Sequence, residues 1–263
     1  LHDFGKVATP EYVMNKATKL EGLYDKIDQI KLKFEILKRD VEIAYYKNKV
    51  NEIDLDKDLI ESELKQIKND MAFLEHSNIG GEFMSDDLKN RVKEIGKKEI
   101  KINDNNICLL SEDEIENLTI SRGTLSSKDL KIMQQHVVLT YTLLSKLPYP
   151  DHLKQVPFYA GCHHEKIDGS GYPNGYKGDK LPIQARIIAI ADVFEGLTAP
   201  DRPYKEGYKL SKALTILKGM AIDGEIDSDL FNLFIIKKLY LKYANDMIDK
   251  KQIDHIEEKE FLV

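Results

Sequence analysis

The chain has 263 residues, 42% of them apolar and 32% charged, with a formal net charge of −6. That is enough apolar chain for one large core or two modest ones, and the acidic balance argues against a duplex nucleic-acid binder, which usually shows a basic footprint. Two cysteines without paired spacing, Cys108 and Cys162, exclude a disulfide framework; with no apolar run of membrane-spanning length and no signal peptide, a soluble, cytoplasmic segment is expected.

Leu1-His2-Asp3-Phe4-Gly5-Lys6 reads as the end of a helix capped by Gly5, with its upstream turns expected before residue 1. Pro10 permits one short helix, Glu11 to Asn15. Ile27, Ile30, Phe34, Leu37 and Val41 then recur at spacings of three and four, as do Ile60, Leu64, Ile67, Met71 and Leu74. Each set is a narrow apolar seam on a charged helix. The pattern predicts two long antiparallel helices packed as a coiled-coil hairpin, turning at the polar stretch 51–58. Two readings of this hairpin stay open: an arm for homodimerisation or signalling, or a structural insertion packed on its own domain.

Gly80-Gly81 breaks the second helix, and Met84, Leu88, Val92 and Ile95 mark a shorter one. Ile100-Lys101-Ile102 and Ile107-Cys108-Leu109 flank Asn103-Asp104-Asn105-Asn106, the pattern of a small β-hairpin. Ser111-Glu112-Asp113-Glu114 is a capping box. Residues 20–122 thus read as a self-contained helical insert.

Ser126-Ser127 caps a helix whose buried face is predicted as Leu130, Met133, Val137, Tyr141 and Leu144, with His136 beside it. Alone, such a histidine is more often a satisfied core residue than a ligand. Pro157 starts the helix that carries Cys162-His163-His164-Glu165. Adjacent histidines diverge by about 100° on a helix, so either they serve two neighbouring metals or the helix ends there. Glu165 and the glycines that follow, Asp168-Gly169-Ser170-Gly171-Tyr172-Pro173, favour a helix terminus. Pro182 opens an amphipathic helix with Ile183, Ile187, Ile190, Phe194 and Leu197. Asp192 sits there among Ile, Ala and Val, where an unpaired carboxylate is costly; a metal, or Arg186 or another cation, would answer it. Arg202 and Lys205 form a local cationic pair, suited to phosphate or to plain surface charge. Residues 209–221 and 228–247 are further helices, and Met247, Ile248, Ile253 and Ile256 are expected to pack down the charged tail, 241–263.

The ordered set Leu1-His2-Asp3-Phe4-Gly5-Lys6-Val7, Asn15-Lys16, His163-His164-Glu165, Asp168 to Pro173, and Ala191-Asp192-Val193-Phe194 resembles the HD-GYP family of HD-domain metal-dependent phosphohydrolases. The resemblance covers residues 1–19 and about 123–220. It implies an all-α, HD-type helical bundle around a multinuclear metal site, formed by residues 1–19 and 123–240, with the hairpin inserted. It implies hydrolysis of a cyclic dinucleotide, cyclic di-GMP or a mixed GMP-AMP ring, to a linear dinucleotide or mononucleotides. Carried over, His2, Asp3, His136, His163, His164 and Asp192 would bind two or more divalent ions; the resemblance favours iron or manganese, and the donor types also suit zinc or nickel. Lys6 would sit by the scissile phosphate with Asp3, Gly171-Tyr172-Pro173 would line the substrate, and Arg202 and Lys205 would contact its phosphates or a base. An upstream sensor domain is also implied. Glu195-Gly196 stands where the family commonly has Asp-Ala. The alternative is a non-catalytic nucleotide-binding or signalling module built on a degenerate site.

Overall fold

The computed structural model describes residues 1–51, 57–80, 83–103, 105–199 and 207–263. Among them it holds eleven α-helices and one two-stranded sheet, an all-α architecture. The chain divides into two compact units, Pro10–Leu130 and Leu1–Thr9 with Lys131–Val263.

The first unit contains α1 (Glu11–Met14), α2 (Ile27–Val50), α3 (Lys57–Asn78), α4 (Asp86–Gly96), strands β1 (Glu99–Ile102) and β2 (Asn105–Cys108), and α5 (Glu112–Leu118). Helices α2 and α3 pack on each other, but the seam is buried only at its base. Ile27, Ile30 and Phe34 of α2 and Ile67 and Leu74 of α3 share a core with Val92, Ile95, Ile100, Leu109, Leu110 and Leu118. Leu37, Val41 and Met71 are partly buried, whereas Tyr46, Val50 and Leu59 further out are exposed. The predicted turn over 51–58 lies mostly outside the described residues.

Polar groups complete this unit. Ser111 and Glu114 form the expected capping box of α5. Buried Asp70 is met by Lys98 at 2.7 Å, Gln66 at 2.8 Å and Arg91 at 3.4 Å. Lys19, 2% exposed, donates to the carbonyls of Leu118 and Ile120 at 3.0 and 2.9 Å, which offsets the cost of burying an ammonium. The small sheet is antiparallel, with Ile100 opposite Ile107. Its second strand starts at Asn105, two residues earlier than the apolar pattern predicts; Asn103, at φ 49°, takes the left-handed bend that asparagine tolerates.

Helix α6 (Ser127–Leu144) leads into the second unit. Ser126 caps it by accepting from the Asp129 amide, while Asp129 accepts from the Ser126 amide. Helices α7 (Val156–Ala160), α8 (Ile183–Thr198), α9 (Leu210–Ile222), α10 (Ser228–Ile236) and α11 (Leu239–Met247) follow. Ile190 and Phe194 of α8 join Leu210, Leu214, Leu217, Phe231, Ile235 and Tyr240 in one core, against which Ile248, Ile253 and Ile256 of the tail pack.

Several sequence expectations shift here. The single helix predicted over 228–247 is two, divided at Lys238, whose φ of 52° breaks the helical run. Met247 is exposed. On α6 the buried residues are His136, Val137, Thr140 and Leu144, while Leu130 and Tyr141 face solvent. On α8, Ile183 and Ile187 are exposed and Ala185 and Ala189 are buried instead. In both helices the inward stripe is rotated toward small and polar residues.

Candidate metal centre

All six candidate ligands lie in the unit of Leu1–Thr9 and Lys131–Val263. Residues Phe4–Ala8 form a 3-10 turn of their own, preceded by Asp3. Gly5 is no helix cap; it is buried flat against α6, where its amide donates to the Thr140 hydroxyl at 2.8 Å. A Cβ at Gly5 would stand 2.0 Å from the His136 carbonyl oxygen, so only glycine permits this approach. Thr140, one turn past His136, thus anchors His2 and Asp3 beside that histidine.

Helix α7 ends at Ala160, so His163 and His164 leave its terminus in a tight turn. His136 Nδ1 lies 2.5 Å from the Met133 carbonyl oxygen, and His163 Nδ1 lies 2.6 Å from that of Ala160. A carbonyl only accepts, so each Nδ1 carries a proton and Nε2 is the ring atom turned to the site, where it offers a lone pair whenever the ring holds no second proton. Those two Nε2 atoms face each other at 3.4 Å. Two lone pairs at that distance repel unless a proton or a metal ion lies between them.

The remaining donors close the cluster. His2 Nε2 is 3.3 Å from Asp192 Oδ1 and 3.4 Å from Asp3 Oδ2. Asp3 Oδ1 lies 3.5 Å from His136 Nε2 and 3.8 Å from His163 Nε2, and His164 Nδ1 lies 3.9 Å from Asp192 Oδ2. Donor atoms about 3.0–3.4 Å apart are what surround a first-row ion held at about 2.1 Å. Two triads, His136-His163-His164 and His2-Asp3-Asp192, each hold donors within 4.8 Å of one another, and the His136–His163, His2–Asp3 and His2–Asp192 pairs lie at 3.3–3.4 Å. Asp3 Oδ1 is buried with no hydrogen-bond partner and points toward the histidine triad, while Oδ2 takes Lys6 Nζ at 2.7 Å. The orphaned oxygen, the facing lone pairs and the His/Asp donor set all fit a metal. Arg186, the cation that might have neutralised Asp192, is instead paired with Asp227 at 3.0 Å.

The protein's own groups set the protonation of the cluster. Hydrogen bonds to Asp192 and then Asp3 raise His2 to about 9. Burial lowers His163, and burial with the neighbouring His163 lowers His164 to about 3. Burial opposes the Asp3 charge, but His2 and Lys6 outweigh it and hold the carboxyl well below its usual range. Asp192 is likewise lowered, by His2 and His164 against burial.

The glycine-rich turn lies against the same site. The Tyr172 ring is 4.9 Å from that of His164 and tilted by 30°. Burial, then the charges of Asp192 and Asp3, raise the Tyr172 hydroxyl. Gly171 is pinned where a Cβ would be 2.3 Å from the Lys166 amide nitrogen, and the Tyr172–Pro173 peptide is cis. Arg202 and Lys205 lie outside the described residues. The sequence pattern marked Glu165 only as part of the His163-His164-Glu165 run and of a helix terminus, and gave Thr140 no role, although Thr140 at i+4 from His136 was a readable sign of a shared face.

Residues 112–230 match the HD domain family. Over 97 residues the chain is 40% identical to a 3'3'-cGAMP-specific phosphodiesterase of Vibrio cholerae, covering 36% of this chain and 20% of that protein. It is 39% identical over 103 residues to a cyclic di-GMP phosphodiesterase response regulator of Xanthomonas campestris, covering 39% and 26%. It is 33% identical over 106 residues to a cyclic di-GMP phosphodiesterase of Thermotoga maritima, covering 40% and 28%. The aligned part is thus under a third of each relative's length. The matched stretch carries His136, His163, His164 and Asp192, and the all-α architecture agrees with a match to the HD domain family. The Tyr172 ring packed on His164 within the matched stretch, and the cyclic dinucleotide phosphodiesterases among the similar proteins, are consistent with the HD-GYP resemblance.

Proposed function

We propose that this chain is a metal-dependent phosphodiesterase that opens a cyclic dinucleotide, cyclic di-GMP first and a mixed GMP-AMP ring second, to a linear dinucleotide or mononucleotides. The observation that carries this reading is the pair of adjacent donor triads, with Asp3 Oδ1 of one lying 3.5 Å from His136 Nε2 of the other and two histidines turning Nδ1 to a carbonyl and Nε2 to the site. Bound divalent ions at such a cluster supply a water acidic enough to attack at neutral pH and neutralise the phosphate oxygens. Two ions, iron or manganese in this reading, would be held by His2, Asp3, His136, His163, His164 and Asp192.

The chain's own residues do the rest. Met133 and Ala160 hold His136 and His163 in orientation through their carbonyls, the role of a second shell. Lys6, tethered to Asp3, places an ammonium where charge develops on the scissile phosphate and where a leaving 3'-oxygen needs a proton. Gly171, Tyr172 and Pro173 form the substrate-side rim, and Arg202 and Lys205 take the second phosphate or a base. The insert carries exposed Tyr46 and Val50 on α2, which supports its reading as a dimerisation or signalling arm. Cytoplasmic placement accords with the second-messenger substrate; among the described residues no helix is long and apolar enough to cross a membrane.

The test is metal analysis of the protein loaded anaerobically with iron or with manganese, then incubation with cyclic di-GMP and 3'3'-cGAMP. Turnover of at least one ring is expected. A fully loaded protein that cleaves neither ring sinks the proposal, and tight binding without cleavage would favour the non-catalytic module.

A further inference from the structure

Glu165 is a buried carboxylate, 4% exposed, that the hydrolytic reading leaves without a task. Each of its oxygens accepts one backbone amide. Oε1 takes the Asn174 N–H at 2.8 Å and Oε2 the Tyr176 N–H at 3.0 Å. Both amides belong to the far limb of the glycine-rich turn. The near limb is held by the neighbouring residue, since the Tyr172 amide donates to the His164 carbonyl at 3.1 Å and Gly171 packs against His164, Glu165 and Lys166. Two consecutive residues therefore grip the turn from both sides, and one of them is a candidate metal ligand.

We propose that Glu165 is a positioning residue for the 171–173 turn: its two-oxygen clamp fixes the far limb so that Tyr172 stays stacked on His164 and faces the substrate. The inference rests on the phosphodiesterase reading for its substrate and on geometry alone for its clamp. The chemistry requires a carboxylate. A glutamine has one carbonyl oxygen, and its NH2 would meet the second amide donor to donor. Charge-assisted bonds of this kind are about twice as strong as neutral ones.

The experiment uses Glu165→Gln and Glu165→Ala in the full chain, loaded with metal. Amide hydrogen exchange is read at Asn174 and Tyr176, metal content is measured, and kinetics are compared on cyclic di-GMP and on bis(p-nitrophenyl) phosphate. The second substrate has neither a purine nor the cyclic dinucleotide backbone for the turn to position. In Glu165→Gln we expect the metal content of the unmodified protein and faster exchange at these two amides. We expect KM for cyclic di-GMP to rise by up to about a hundredfold, the scale of a small misplacement, with a much smaller effect on the simple diester. Unchanged exchange at both amides overturns the clamp. Equal losses on both substrates overturn the positioning role and make Glu165 part of the metal scaffold. Should Glu165→Ala fail to fold, the isosteric Glu165→Gln carries the test. Should the unmodified protein cleave only the simple diester, the substrate reading falls, while the exchange data still judge the clamp.

Discussion

At the scale of single residues, the site depends on contacts with almost no slack. Gly5→Ala would drive a methyl carbon into the His136 carbonyl, so the segment bearing His2 and Asp3 must lift away from α6. We expect about 1–3 kcal/mol of destabilisation, as for other overpacked positions, together with loss of bound metal, measurable by denaturant unfolding and elemental analysis. A Gly5→Ala protein that keeps full metal content would show that His2 and Asp3 do not depend on this approach. Protonation is predictable too, for protein stripped of metal by a chelator. His2 has its pKa raised from 6.5 to about 9, so its stabilising charge is fully present below pH 6.5 and is lost as pH rises through 9. His164 has its pKa lowered to about 3, so the unfolded chain binds a proton that the fold refuses between pH 3 and 6.5, and stability falls as pH falls through that window. The stripped protein should therefore be most stable near pH 6.5. His2→Gln should flatten the alkaline limb alone in urea midpoints taken from pH 5 to 9; an unchanged alkaline limb refutes the assignment.

At the scale of elements, the sequence was legible where periodicity or capping governs and silent where tertiary contacts do. The hairpin seams, the Ser111–Glu114 box and the end of α7 before His163 could all be read from spacing and composition. The inward face of α6 could not, because it is set by the Gly5 amide on Thr140 and by the His136 ring rather than by the bulky apolar residues. The exposed Ile183 and Ile187 on α8 misled for the same reason: small Ala185 and Ala189 take the buried positions. The six candidate ligands came through the family resemblance, and their donor atoms fall into two neighbouring groups, whereas the orienting carbonyls of Met133 and Ala160 carry no side-chain signal at all. The hairpin offers its own test, because its seam is buried at the base and open further out. Phe34→Ala, deep in the core, should cost about 3–5 kcal/mol, while Tyr46→Ala, 62% exposed, should stay within about 0.5 kcal/mol. Comparable losses from the two would mean that the outer seam is covered in solution, as a dimerisation arm would be.

At the scale of the whole molecule, the division into two compact units separates chemistry from the insert. Every candidate ligand, together with Lys6, Glu165 and the Tyr172 turn, comes from the unit of Leu1–Thr9 and Lys131–Val263, and none from Pro10–Leu130. The buried base of the hairpin must stay, because Ile30, Phe34 and Leu74 build the core of the insert unit. Residues 43–51 and 57–64 are absent from that core, and the segment 43–64 can be replaced by a short Gly-Ser turn; surface connections tolerate large changes in length at small entropic cost. The shortened protein should fold, keep the metal content of the parent, and turn over cyclic di-GMP at the parent rate. If the arm mediates self-association, its mass by light scattering should fall from dimer to monomer while turnover per site is kept. Loss of metal from a well-folded shortened protein would contradict the separation, since it would require the hairpin tip to support a ligand set that lies wholly outside it. Loss of turnover with metal retained would instead make the arm a control element over a complete site, which is the role an insert between two halves of one catalytic unit is placed to play.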